Sequence, residues 1–206
     1  KHHKEGRLLA TKEKGTDPDE PLELDESEPV WVWNKYKDAD TNGNLVYDPK
    51  EFGANHRGKT KAEILAESQA SAVKVGTTWR VILIETNPNI PRETKGEKVG
   101  GRKRLEANQT PNKYLNLIGK DQYQNESGTT PEEWLIQAIT LLEEKNQVLD
   151  DYQGKGSITY LTGAYFMSGR VPDAYWLRGA RQARLGGSGP AGRDPDLGVR
   201  SAVRVD

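Results

Sequence analysis

Asp40, Asn42, Asn44, Asp48 and Glu51 place oxygen-bearing side chains at positions one, three, five, nine and twelve of the stretch DTNGNLVYDPKE. That spacing suits a hard divalent cation. Calcium takes ~6–8 oxygen ligands at ~2.3–2.6 Å, and a loop of about twelve residues with this pattern supplies them. Asp40, Asn42 and Asn44 would each give one side-chain oxygen, and Val46 its backbone carbonyl. Asp48 would act directly or through a water, and Glu51 with both oxygens. Three carboxylates are a low ligand charge. The expected dissociation constant is on the order of 10⁻⁴–10⁻³ M, a range that is filled outside cells and mostly empty in a cytosol. Position six is Leu45, where glycine is favoured, and Gly43 supplies the bend instead. A register beginning at Asp38 restores glycine at position six but puts Pro49 at position twelve, so Asp38 stays open as an extra ligand. The competing reading is an Asn42-Gly43 hairpin turn with its acids facing water.

Other reactive groupings are sparse. The chain has no cysteine, which excludes disulfides, thiolate metal sites and cysteine nucleophiles. Histidine is limited to His2, His3 and His56, so a serine–histidine–aspartate arrangement would rest on one residue. The acid pairs Glu132-Glu133 and Asp150-Asp151 fit helix-end roles. The segment Gly96–Arg104 has the glycines of a phosphate loop but not its terminal Lys-Ser/Thr pair, and reads as a flexible, protease-sensitive basic loop. Asn108 and Asn125 head glycosylation sequons. From Arg170 onward there are seven arginines and no lysine, which reads as intramolecular pairing first and as an interface second. No motif specifies an active site, and the chain is read as non-catalytic.

The elements that must position these residues follow from pattern. With 206 residues, 33% apolar content and a net charge of −1, the chain can build one modest core, and its charge balance argues against a nucleic-acid partner. No apolar run spans a bilayer. The chain starts at Lys1, which reads as a fragment or a processed form. Residues 1–28 read as a disordered or partner-docking arm, with seven acids and no base between Thr16 and Glu28. Residues 29–206 read as a single α+β domain, with a mainly antiparallel sheet, two short helices and long loops. Val30–Trp33 and Leu45–Tyr47 are expected to pair as a hairpin. Capping boxes at Thr60–Glu63 and Thr130–Glu133 predict helices over 61–73 and 131–145. The run at 77–85 predicts a strand buried on both faces. Tyr114–Ile118 predicts a short strand, 157–166 one or two strands, 186–192 a flexible loop and 197–205 a terminal strand.

Two resemblances sharpen this reading. The loop after Val30-Trp-Val-Trp-Asn34 resembles EF-hand-like loops, most of all those of bacterial surface adhesins, including B-type repeats of serine–aspartate-repeat proteins. It covers residues 30–53 and implies an extracellular module stiffened by calcium. The sequence Tyr175-Trp-Leu-Arg-Gly179, a glycine-rich loop and Gly198-Val-Arg200 resemble the tail of formylglycine-generating-enzyme-like domains. That likeness implies a C-type-lectin-like scaffold without the family's copper-binding cysteines. The expected role is an extracellular structural or assembly subunit of a filament, surface layer or virion, partnered by other protein subunits. The alternatives are a lectin-like or adhesive module that binds glycan, and a carboxylate-dependent hydrolase.

Overall fold

The computed structural model describes residues 9–11, 24–29, 43–70, 81–92 and 95–205. Asp40, Asn42 and Val30–Trp33, and with them the expected hairpin, lie outside the described residues.

Three helices are present among them, each begun by a threonine. Helix α1 (Lys61–Ala70) starts where Thr60 and Glu63 exchange hydrogen bonds, the Thr60 N–H donating to Glu63 Oε2 at 2.7 Å. Helix α2 (Pro111–Leu117) starts where Thr110 Oγ1 accepts from the Lys113 N–H at 3.2 Å. Helix α3 (Pro131–Lys145) has a complete Thr130/Glu133 capping box and ends at Asn146 in the left-handed region, φ 50°. Proline takes the first turn of both α2 and α3, where its missing N–H is no loss. Helix α2 corrects the strand expected over Tyr114–Ile118. Five residues of mixed apolar and polar type fit period two and one helical turn equally well, and the Thr110-Pro111 start decides for helix.

The architecture is α+β, with strands in several small sheets. In the N-terminal arm, β1 (Leu9–Thr11) pairs antiparallel with β2 (Leu24–Pro29). Strand β3 (Leu45–Tyr47) pairs antiparallel with β10 (Ala164–Phe166). The central sheet runs β12 (Gln182–Ser188), β11 (Val171–Leu177), β9 (Ile158–Tyr160), β13 (Leu197–Val199), with β8 (Asp151–Tyr152) beside β11. The β8–β11 and β9–β13 pairings are parallel and the rest antiparallel. Strand β12 contains residues expected to be loop, because Gly186 and Gly187 continue its ladder to β11. The terminal segment is two strands, β13 and β14 (Ser201–Val205), broken at Arg200.

A fourth sheet orders β4 (Val81–Ile84), β14 and β7 (Ser127–Gly128). Here β4 departs from the both-faces-buried expectation: Val81 and Leu83 are 56% and 58% exposed. Ile82 and Ile84 turn the other way and are half-buried, and Gln137 Nε2 of α3 donates to the Glu85 carbonyl at 2.9 Å. Cover on one side of an outer strand leaves the other side to solvent. The expected basic loop is instead a tight hairpin of β5 (Lys98–Val99) and β6 (Arg102–Lys103), turning at Gly100 and Gly101, with φ 55° and 85°.

Two cores flank the central sheet. Trp134, Leu135 and Leu141 of α3 bury against Leu149, Leu161 and Ala174. On the other side Tyr114, Tyr123, Tyr160, Tyr165, Val171 and Val199 pack together, joined by Val46 and Leu105.

Candidate functional site

The described half of the predicted calcium loop runs from Asn44 to Glu51. Asn44 and Glu51 are exposed, and neither side chain has a hydrogen bond or ion pair among the described residues. Val46 is buried and faces Tyr165. The Asp48 N–H donates to Gly163 O and the Met167 N–H to Asn44 O, each at 2.9 Å. These bonds bracket Val46 and Tyr165 as the hydrogen-bonded pair of the ladder, so the Val46 carbonyl already accepts from Tyr165. Asp48, at φ 50°, pairs with Arg204 Nη1 at 2.9 Å. No group of three or more His, Asp or Glu side chains suited to a metal comes together among the described residues.

Charges gather behind this loop. The Tyr47 hydroxyl and the Lys61 ammonium both donate to Glu132 Oε1 at 2.7 Å, with Lys61 lying over the Tyr47 ring. Burial pushes the Glu132 carboxyl up, but Lys61 and Tyr47 outweigh it and hold it below the ordinary value. Arg204 bridges Asp48 to Glu133, donating from Nε at 3.0 Å. These contacts tie β3, α1, α3 and β14 together and leave the two acids of Glu132-Glu133 in separate partnerships.

Of the seven arginines from Arg170 onward, Arg178, Arg200 and Arg204 pair with carboxylates as expected. Arg200, at the β13–β14 break, donates to Asp150 from Nη2 at 2.6 Å and to the carbonyls of Asn87 (2.8 Å) and Pro88 (2.7 Å). Asp150 also accepts from Trp134 Nε1 at 2.8 Å and from the Thr159 hydroxyl. Arg178 pairs with Asp151. In the hairpin, Arg104 reaches Glu85 at 2.7 Å and Glu97, while Arg102 reaches Glu85 at 2.9 Å and Glu126. Asp173 is the buried carboxylate whose affinity for its proton is raised. Burial pushes it up, and the Ser188 hydroxyl (2.6 Å) and Arg170 offset this only in part. A Cβ on Gly186 would lie 2.6 Å from its Oδ1, so strand β12 covers it and leaves no room for a substrate.

Two surfaces keep unspent capacity. On β4–β14, Leu83 faces Val203 and Val81 faces Val205, so one ladder carries four apolar side chains. Val205 is 49% exposed, and β14 is the one strand beside β4 among the described residues. The second surface is a cleft of about 350 Å³ between the 103–109 segment, α2 and the turn Asp121–Tyr123. Leu105, Ala107, Leu117 and the Tyr114 and Tyr123 rings line it, with Lys103, Glu106, Gln109 and Lys113 at its polar side. Sequence reading missed both. The β4 run looked like a core strand, and the cleft depends on α2, whose Thr-Pro start was the available signal.

No family model matches the chain, and neither a curated protein nor a solved structure is similar to it. No helix among the described residues is long and apolar enough to cross a membrane.

Proposed function

We propose that this chain is a non-catalytic extracellular assembly subunit. It joins further copies through β4–β14 and is stiffened by calcium in the loop Asp40–Glu51. The observation that carries the reading is the exposed ladder Val81/Val205 and Leu83/Val203 on an outer strand. Single exposed apolar residues are ordinary. A run of them on an edge with unpaired N–H and C=O groups is what proteins usually charge, kink or cover. Strand β4 has no lysine, proline or charge of its own. Antiparallel pairing with β4 of a second copy would extend the sheet without opposing like charges.

Calcium enters through Asn44 and Glu51, whose side chains have no other partner among the described residues. Asp48 can keep Arg204 and reach the ion through a water, as position nine often does. The ion would then fix the loop leading into β3, which Tyr47 ties to α3.

The test is sedimentation velocity and thermal unfolding, with millimolar calcium or chelator, on the natural chain, Leu83→Lys and Glu51→Gln. The natural chain should associate as its concentration rises, and Leu83→Lys should stay monomeric with an unchanged melting temperature. Calcium should raise the melting temperature of the natural chain but not of Glu51→Gln. A chain that is monomeric throughout ends the assembly reading, and an absent calcium shift ends the metal reading.

A further inference from the structure

The cleft beside α2 has the composition of a small-molecule site: a carbon-rich floor and a few convergent polar groups, at a volume within the ~300–1,000 Å³ usual for ligand pockets. We infer that it binds a small ring-bearing monocarboxylate, with the ring on the tyrosine–leucine floor and the carboxylate at Lys113 and Lys103.

The charge follows from which groups are already engaged. Arg104, beneath the cleft, is held by Glu85, Glu97 and the Asn89 carbonyl. Lys103 Nζ lies 3.1 Å from Glu106, whose Oε1 also accepts from the Gly96 N–H at 2.6 Å. Lys113 uses its backbone N–H in the α2 cap, and its ammonium has no partner among the described residues. Two ammonium groups against one carboxylate leave one positive charge, which calls for one negative charge on the ligand. The Gln109 amide, also without a side-chain bond among the described residues, can donate or accept beside it.

The ring follows from the floor. The Tyr114 hydroxyl donates to the Glu106 carbonyl at 2.5 Å and the Tyr123 hydroxyl to the Lys103 carbonyl at 3.0 Å. Both hydroxyls are struts that hold the 103–106 segment against α2, so the edges that these two nearly buried rings show the cleft are carbon. Leu105 and Ala107 are buried, and β13 backs them: a Cβ on Gly198 would come within 3.1 Å of the Ala107 Cα. A floor held in this way is preformed, which lowers the ordering cost of binding. An inorganic anion would gain nothing from it. A nucleic acid would need a longer basic track than two lysines.

Aromatic acids and acidic sugars share this chemistry. The probes are therefore benzoate, galacturonate, benzamide as a neutral counterpart, and inorganic phosphate, each titrated into the full chain by NMR. The Leu117, Tyr114 and Tyr123 signals report binding. At least one ring acid should shift them saturably, and the preferred one identifies the source. Benzamide should bind about tenfold more weakly than benzoate, and Lys113→Gln should weaken the preferred acid about tenfold, because a charge-assisted hydrogen bond is lost. Lys113 is exposed, so its melting temperature should not move. The inference is overturned by any of four results: no probe shifts these signals, phosphate binds as well as the ring acids, benzamide matches the preferred acid, or Lys113→Gln leaves affinity unchanged.

Discussion

Replacing Asp150 by alanine tests how far the interior depends on one carboxylate. Asp150 and the Arg200 side chain are 0% and 3% exposed. Arg200 would keep the Asn87 and Pro88 carbonyls but lose the anion that balances its charge, and Trp134 and Thr159 would lose their acceptor. Removing one partner of a buried pair costs ~3–5 kcal/mol, because the other charge stays buried without compensation. For a domain of this size ~1 kcal/mol moves the melting temperature by ~2–4 °C, so the drop should be about 6–20 °C. Arg92–Asp196, with side chains 41% and 38% exposed, is the internal control. Breaking it should cost less than ~1 kcal/mol. The double substitution Asp150→Leu with Arg200→Met should recover much of the loss, since a buried pair replaced by packed apolar groups is often neutral. Tryptophan fluorescence during urea unfolding reads all four chains, provided the slopes match. If Asp150→Ala costs no more than the Arg92–Asp196 control, the latch contributes nothing special and the reasoning fails.

Two further predictions use other features of the same interior. Asp173→Asn should stabilise the protein at neutral pH. The folded-state pKa of Asp173 is raised by burial, so the folded chain holds its proton more tightly, and the wild type loses stability as pH climbs from the ordinary carboxylate range through that raised value. The advantage of Asn should therefore vanish below about pH 4 in paired thermal melts; a gain independent of pH would contradict it. Thr130→Ala should cost about 1 kcal/mol in denaturant unfolding, since it removes the side-chain acceptor of the α3 capping box. A change indistinguishable from zero would show that tertiary packing alone sets the start of α3.

The parts of the fold legible in sequence were those with a local cause. Thr60 and Thr130 announced α1 and α3 through hydrogen bonds that close within four residues. The break between 158–160 and 164–166 also falls within the expected range. What was not legible depended on distant neighbours. Strand β3 pairs with Ala164–Phe166, more than a hundred residues on, which no local pattern encodes. The glycines at 186–187 looked like loop, yet they continue the β12 ladder to β11, and at Gly186 Asp173 occupies the space a side chain would need. The basic segment at 96–104 looked mobile because its counter-charges, Glu85 and Glu126, lie outside it in sequence. For the candidate site, the sequence named the loop Asp40–Glu51, but not that Asp48 would meet Arg204 at the far end of the chain.

Where this protein can act is constrained by where its polar groups are already spent. Asp150, Arg104 and Arg200 are buried and multiply bonded, and drawing any of them toward a ligand would strand a charge in the interior. Glu132 and Glu133 serve Lys61, Tyr47 and Arg204. Among the described residues, Ser157 Oγ and Thr162 Oγ1 are buried hydroxyls without a hydrogen-bond partner. What stays available among the described residues is on the surface: the Lys113 ammonium and Gln109 amide over an apolar floor, Asn44 and Glu51 at the loop, and the side of β4 away from β14. In the readings proposed above these groups take an ion, a ring and a neighbouring strand. Among the described residues, these outward groups are the ones a ligand or a partner could meet without stranding a charge in the interior.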